Sequence, residues 1–430
     1  MSSRLPGFFK LDPDERLVRI LEAAALASDL GAAWRGGGLP VAVADRMVEN
    51  VIGTFALPAA VAVNLRVNGR DVLVPMVVEE PSVVAAVGNM ARLALEVGGF
   101  VAEADPSVMI GQVELRDVRD PQATIAAITP EIPRLCALAE ARLPELVGLG
   151  GGVRGMELRA LRYDEPGEPA HDLVVLHFFL DCLDAMGANM VNTVAEALAP
   201  ELEAICGERV GLRILSNLAD RRLARASLRL PPEVLGDQRF PGQAVAEGVA
   251  AAWRFAWADP YRAATHNKGI MNGVDPVVIA TGNDWRAMEA GAHAFAARSG
   301  HYRPLTTWKL DGEGHLVGRI ELPVQVGTVG GTLRLHPTVQ ANLALLGVRG
   351  ARELAGIIAA VGLAQNLGAL KALATTGIQE GHMRLHARAV AVAAGAVPGE
   401  VEAVVAALVA ARDFSDRRAR EILVGLRATP

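Results

Sequence analysis

Apolar and polar positions repeat with two different periods along this chain, and the switches between them outline its elements. Residues 17–34 (LVRILEAAALASDLGAAW) and 43–53 (VADRMVENVIG) carry apolar side chains at helical spacing, so the N-terminal segment is predicted helical. Two strand-like runs follow, VAVNLRV (61–67) and VLVPMVV (72–78), and Asn68-Gly69 between them predicts a hairpin. Pro81 then suits an early position of a helix over 83–99. From Ile110 the texture changes. Strand-like runs at 113–120, 156–165, 172–181 and 209–219 alternate with helical segments at 129–147 and 188–205, the pattern of a small α/β unit inserted into a larger domain.

After Asn217 the chain returns to the large domain. Residues 243–260 read as a helix ended by Pro260, and 277–300 as a strand, a loop and a helix. A hairpin over 303–325 turns at DGEG, GTVGG follows at 327–331, and 353–375 is a helix or helical pair. The C-terminal end reads as a helical tail with Gly- and Pro-containing turns.

Composition narrows the class. At 430 residues two or three domains are expected, and 51% apolar with 4% aromatic content suits a well-buried α/β protein with small-residue helix packing. A net charge of −6 with both signs interspersed and no basic run argues against nucleic-acid binding. Mean hydropathy is +0.27, yet LAGIIAAVGLA and VEAVVAALVAA fall short of the roughly 18–20 apolar residues of a spanning helix. The charged N-terminus, MSSRLPGFFKLDPDER, lacks the apolar core of a signal peptide, so a soluble cytoplasmic protein is expected, with no membrane partner. Cys136, Cys182 and Cys206 have no metal or redox spacing and read as reduced structural thiols; no metal is expected.

The candidate chemistry gathers in Thr265–Arg286, where THNKGIMNG and ATGNDWRA crowd Asn, Gly, Thr and His around Lys268 and Asp284. An amine that must stay charged beside a reacting carbonyl needs a tuned environment, and a neighbouring carboxylate is one way to supply it. Taken alone, the stretch also reads as two polar loops joined by a strand, VDPVVIA. Glu80 follows an apolar strand, where partial desolvation would favour its proton-donating form; Glu79 and Glu80 could equally be first-turn helix acids. His382 follows Gly381 before a helical segment, whose positive end disfavours the imidazolium, and His386 would share its face. Among the other histidines, only His266 is expected near the chemistry. DAMGANMVN, from Asp184 to Asn192, follows an apolar strand and opens a helix; it is not GxGxxG, and reads either as a pyrophosphate site or as a tight structural strand-to-helix turn.

Seven blocks in order, ENVIGTFALPAAVAVNLRVNG, VPMVVEEPS, DAMGANMVN, RILSNLAD, THNKGIMNGVDPVVIATGNDWRA, LPVQVGTVGG and GHMRLHAR, resemble the 3-hydroxy-3-methylglutaryl-CoA (HMG-CoA) reductase family, in its bacterial soluble class II. The resemblance covers nearly the whole chain. It implies an α+β / α/β multidomain fold: a large mixed α/β CoA-ester and dimerisation domain (1–110 and 217–376), an inserted small ferredoxin-like dinucleotide domain (111–216) and a helical C-terminal flap (377–430). The implied activity is an NAD(P)-dependent oxidoreduction, the four-electron interconversion of HMG-CoA with mevalonate and CoA through bound mevaldehyde, biosynthetic or degradative. Carried over residue by residue, the catalytic set is Glu80, Lys268, Asp284 and His382. Ser82, Arg262, Asn272, Asn217 and Gln365 would contact substrate, and Asp184, Ala185, Met186, Gly187, Ala188, Asn189 and Asn192 would hold the dinucleotide. Lys268 would stabilise an oxyanion, Asp284 would hold its ammonium, Glu80 would act as general acid, and His382 would protonate the CoA thiolate.

One departure concerns the cofactor. Leu143 falls where NAD-preferring members can carry an acid, Glu145, Arg142 and Arg154 lie close by, and the YDEPGEP loop is longer than usual; NAD(H) is slightly preferred over NADP(H). The resemblance further implies a homodimer, or a multiple of dimers, with shared active sites. Two other readings are a non-redox CoA-thioester lyase or hydrolase, against which DAMGANMVN speaks, and a non-catalytic CoA-binding paralogue, against which the complete Glu80, Lys268, Asp284 and His382 set speaks.

Overall fold

A computed structural model describes residues 2–35, 37–375, 377 and 387–428. Helix α1 (Pro13–Ala24) starts in a capping box, with Asp12 accepting from Glu15 N while the Glu15 carboxylate accepts from Asp12 N. The 43–53 helix is not formed as expected: beyond Val41–Ala44 the chain makes turns, and 51–58 has no regular structure. Ile52 and Phe55 there are exposed, so no apolar face is buried that could hold a helix together.

Strands β1 (Ala59–Val67) and β2 (Arg70–Val77) pair antiparallel through Asn68 and Gly69, whose φ angles of 50° and 77° fit the predicted hairpin turn. Helix α2 (Val83–Leu95) begins after Ser82, so Pro81 and both Glu79 and Glu80 lie outside it rather than in its first turn. Next come β3 (Val101–Ala104) and β4 (Val108–Arg116), then α3 (Pro121–Ile128) and α4 (Ile132–Ala141). The chain continues through β5 (Gly152–Tyr163), β6 (His171–Asp181), α5 (Ala188–Cys206), β7 (Arg209–Ser216) and β8 (Leu223–Leu230). Strands β4 to β7 form an antiparallel sheet of order β5-β6-β4-β7, which with its helices is the βαββαβ ferredoxin-like arrangement. Met109, Leu135, Phe178 and Leu198 lie in its separate hydrophobic core.

Helices α6 (Gly242–Ala258), α7 (Pro260–Ala280) and α8 (Trp285–Ala296) follow, then β9 (Thr306–Leu310) and β10 (Leu316–Pro323), which turn at the expected DGEG. Strands β3, β8, β10 and β9 make the sheet of the large core. Helices α9 (Pro337–Leu346) and α10 (Ala351–Ala374) complete it. Helix α10 is long and apolar enough to cross a membrane, but most of it is buried inside this core, from Leu354 to Leu370. Residues 387–393, α11 (Val401–Ala411) and α12 (Asp416–Ala428) pack around a third small core that includes Ala391, Leu408 and Leu423.

The largest correction concerns α7. VDPVVIA is not a strand and THNKGIMNG is not a loop; both belong to one helix of 21 residues. Pro260 ends α6 and also opens α7, behind Asp259, which caps the new helix by accepting from Tyr261 N and Arg262 N. Gly269, Gly273 and Pro276 disfavour a helix, an interior proline by about 3 kcal/mol. Burial of Ala263, Ile270, Val274 and Val277 at helical spacing outweighs them. Gly273 is where α10 comes closest: a Cβ there would stand 2.7 Å from Gln365 Cβ.

Candidate active site

Helix α7 turns one side toward the core and the other toward the β2–α2 junction. Lys268 and Asn272, one turn apart, sit on that second side. The Lys268 ammonium donates to Glu80 Oε2 at 2.9 Å, and Asn272 Nδ2 donates to Glu80 Oε1 at 3.5 Å. The Lys268 side chain is 61% exposed and that of Glu80 33%, so the pair is open to solvent. Pro276 has no N–H to offer the carbonyl of Asn272 four residues back, which leaves that oxygen without its helical partner.

The expected Lys268–Asp284 pair is not formed. Asp284 is the N-cap of α8, where its Oδ1 accepts from Arg286 N at 3.0 Å and Ala287 N at 3.1 Å and lies 3.5 Å from Arg286 Nη2. Lys268 stands twelve residues before the end of α7 at Ala280, about 18 Å along the helix at 1.5 Å per residue, and Asp284 lies beyond that end, so the ammonium meets Glu80 instead.

His266 is also placed differently from expectation. It is buried, with Nε2 2.6 Å from Thr306 Oγ1. The Thr306 hydroxyl donates onward to Asn366 Oδ1, so His266 must be the donor and its Nδ1 is bare and unpartnered. Burial and the nearby Arg262 charge push its pKa down to about 3. It is a neutral core histidine.

Several expected substrate contacts have uncommitted polar atoms. Ser82, held at φ 77°, has a buried Oγ with no hydrogen-bond partner, and so does Oε1 of buried Gln365. The half-buried Arg262 guanidinium makes no ion pair among the described residues, and burial lowers its pKa. Asn217 is exposed and its carbonyl accepts from Gln325 Nε2. Neither Asn217 nor Gln365 shares a hydrogen bond with the Glu80–Lys268–Asn272 trio. His382 lies outside the described residues, as does His386.

The Asp184–Asn192 segment uses its side chains internally. Asp184 Oδ1 accepts from Ala351 N at 2.8 Å, at the start of α10, and Asn192 Oδ1 accepts from Leu215 N at 3.1 Å on β7. Gly187 has φ 101° and a Cβ there would be 2.3 Å from Cys182 Sγ, so only glycine fits this turn. Past it the main chain is open: Val191 is the first N–H of α5 with a helical acceptor, on Gly187, which leaves those of Ala188, Asn189 and Met190 pointing outward. Such an end suits an anionic pyrophosphate. Sequence reasoning passed over two residues that shape this region, Arg222 and Asn283. ADRR resembles any surface dibasic turn, and only the fold shows Arg222 buried.

The family model for hydroxymethylglutaryl-coenzyme A reductase matches residues 14–387. The chain belongs to this family. It is 48% identical over 428 residues to 3-hydroxy-3-methylglutaryl-coenzyme A reductase of Archaeoglobus fulgidus, covering 100% of this chain and 96% of that protein. Its structure is similar to a reductase of that name from Streptococcus pneumoniae, with TM-score 0.83, 44% identity and coverage of 98% and 99% of the two chains. It is likewise similar to a class II S. pneumoniae structure bound to NADPH in open conformations, with TM-score 0.81, 44% identity and coverage of 97% and 100%. The mixed α/β multidomain fold is thus that of class II members of the family.

Proposed function

We propose that this chain is an NAD(P)-dependent HMG-CoA reductase, converting HMG-CoA to mevalonate and CoA by two hydride transfers through bound mevaldehyde, or running the reverse reaction. The contact of Lys268 with Glu80 carries the reading, because it sets a cation and a carboxyl side by side where both are open to solvent. The nicotinamide, when bound, supplies the hydrides. Lys268 stabilises the oxyanion that develops on the thioester carbonyl. Glu80 is the general acid of the aldehyde step, and His382 protonates the departing thiolate. Asp284, the N-cap of α8, completes the catalytic set without pairing directly with Lys268. Arg262 binds the substrate carboxylate, with Ser82, Asn272, Asn217 and Gln365 taking the remaining polar groups; the unpartnered Ser82 Oγ and Gln365 Oε1 support this.

In this reading residues 1–110 and 217–376 carry the CoA ester, 111–216 the dinucleotide, and 377–430 form the flap. Of the four hydrophobic clusters among the described residues, one fills the large domain, one packs the N-terminal helix onto it, and two lie in the small domain and the C-terminal helices, which supports that division. The N–H groups of 188–190 would hold the pyrophosphate of a bound dinucleotide, with Asp184, Ala185, Met186, Gly187 and Asn192 shaping the turn. NAD(H) is slightly preferred over NADP(H): Arg154 Nη2 is engaged by Asp181 Oδ2 and the Gly150 carbonyl, which turns that nitrogen away from a 2′-phosphate. The working form is a cytoplasmic homodimer with shared sites, supported by exposed Ile52, Phe55, Trp257 and Tyr261, the last beside Arg262.

The test follows nicotinamide absorbance with HMG-CoA and each reduced cofactor, and with mevalonate, CoA and each oxidised one. Absence of turnover in both directions overturns the assignment. The ratio of kcat/KM for the two cofactors decides the preference, and sedimentation of an Ile52→Glu, Phe55→Glu chain decides the dimer.

A further inference from the structure

Arg222 is a buried cation on which the Asp181 and Asp184 carboxylates act through their charge alone. It is 4% exposed and forms no ion pair among the described residues. Its hydrogen bonds go to main-chain carbonyls: Nη1 to Ala185 at 3.3 Å and Met186 at 3.1 Å, and Nη2 to Ala185 at 3.3 Å and to Val326. Burial pushes its pKa down to about 10, so it stays charged at neutral pH. Holding a charge there is costly, and a guanidinium reaching two separate segments is the arrangement that rigid multi-donor geometry permits.

The two segments it joins are the dinucleotide turn and the stretch after β10. That stretch is tied at nearly every residue. Val324 N donates to Arg222 O at 3.0 Å, and Gln325 Nε2 donates to Ala287 O at 2.7 Å in the first turn of α8. Gly327 exchanges a pair of bonds with the Asn283 amide, N to Oδ1 at 2.7 Å and Nδ2 to O at 3.1 Å. Thr328 N donates to Asp184 O at 2.8 Å. Gly327 has no room for a side chain, since a Cβ would stand 2.6 Å from Met186 N. A continuous set of bonds therefore runs from the turn at 184–186, through Arg222 and 324–328, to Asn283, the neighbour of Asp284.

We propose that Arg222, with Asn283 as its counterpart, is a positioning residue that fixes the dinucleotide turn against the segment that carries Asp284 and so sets the approach of hydride donor to acceptor. The proposal rests on reading Asp184–Asn192 as the dinucleotide turn. Hydride transfer is sensitive to donor–acceptor placement, so a loosened clamp lowers the chemical step while the CoA-ester site, built on α7 and α2, keeps its affinity.

The experiment compares Arg222→Lys and Asn283→Ala with the natural full chain. It measures kcat, the primary deuterium isotope effect with 4-deuterated nicotinamide, separate Kd values for CoA and dinucleotide, and the melting temperature. Lysine keeps the charge but cannot span both segments, so kcat is expected to fall about 10- to 100-fold. The isotope effect should rise, and the CoA Kd should hold. A smaller fraction of active protein would lower kcat without changing the isotope effect, and that result overturns the proposal. So does an unchanged kcat in either folded variant. If Arg222→Lys does not fold, Asn283→Ala decides alone, because its amide pair lies outside the buried cation. Gly187→Val separates the underlying reading. Should it fold and keep wild-type dinucleotide affinity, the turn is not the dinucleotide site; should it lose that affinity while the clamp variants behave as wild type, the clamp alone fails.

Discussion

The region around Lys268 on α7 and the region at the start of α5 handle their polar groups in opposite ways. On the α7 side, Ser82 Oγ, Gln365 Oε1 and the Arg262 guanidinium have no partner among the described residues, and Lys268 is largely exposed. On the α5 side, Asp184, Asn192 and Arg222 are all engaged in holding the chain to itself. A side that reads substrate by side chains must leave them uncommitted. A side that offers main-chain N–H groups must instead hold its backbone still, and that work occupies its side chains.

That contrast can be broken by mutation. Lys268→Ala should have the largest effect, with kcat falling at least about 100- to 1,000-fold for both hydride steps. Its melting temperature should not move, because an exposed ammonium contributes little to stability; a clear drop in melting would show Lys268 to be structural. Arg262→Gln should raise the KM for HMG-CoA by about 10- to 100-fold, the worth of a charge-assisted contact, again without loss of stability. Asn192→Ala should do the reverse and cost about 1 kcal/mol in denaturant unfolding, since Leu215 N loses its acceptor, with an unchanged KM for HMG-CoA. If stability holds and substrate KM rises, the division between the two sides is wrong. Ser82→Ala should be milder still, raising KM by about fivefold with no destabilisation, since the lost hydroxyl has no partner in the protein.

The smallest effect concerns pH. Asp275, also on α7, has its pKa raised well above the usual carboxylate range by burial, and further by its hydrogen bond with Glu289 and that residue's charge. Glu289 is held low, chiefly by its hydrogen bond with His293. An acid that binds its proton more tightly when folded makes stability fall as pH rises from its unfolded toward its folded pKa. Asp275→Asn should therefore raise the melting temperature more at alkaline than at mildly acidic pH. An equal shift at both would remove Asp275 as the source.

Much of the fold was legible because it is written in local pattern. Asn68-Gly69 specified its hairpin, DGEG its turn, and the alternating strands and helices after Ile110 the small domain. The failures share a cause. Gly269, Gly273 and Pro276 made α7 look broken, since local propensity knows nothing of the α10 surface that buries its other side. Residues 45–53 had helical spacing but no surface to bury it on. Within the candidate site, residue types were visible and pairings were not. Lys268 and Asp284 are near in sequence, yet an N-cap engages Asp284, while Glu80, 188 residues away, reaches the ammonium.

By itself, then, the sequence determined the family, the ferredoxin-like insertion and the set of residues available for chemistry, because motifs and periodicity are local properties. Only the tertiary structure decided that Lys268 stands on a helix paired with Glu80, that His266 is a neutral core residue, and that Arg222 joins the 184–186 turn to the stretch bonded to Asn283. Those outcomes depend on burial and on competition for hydrogen-bond partners between segments far apart in the chain, which folding alone brings together.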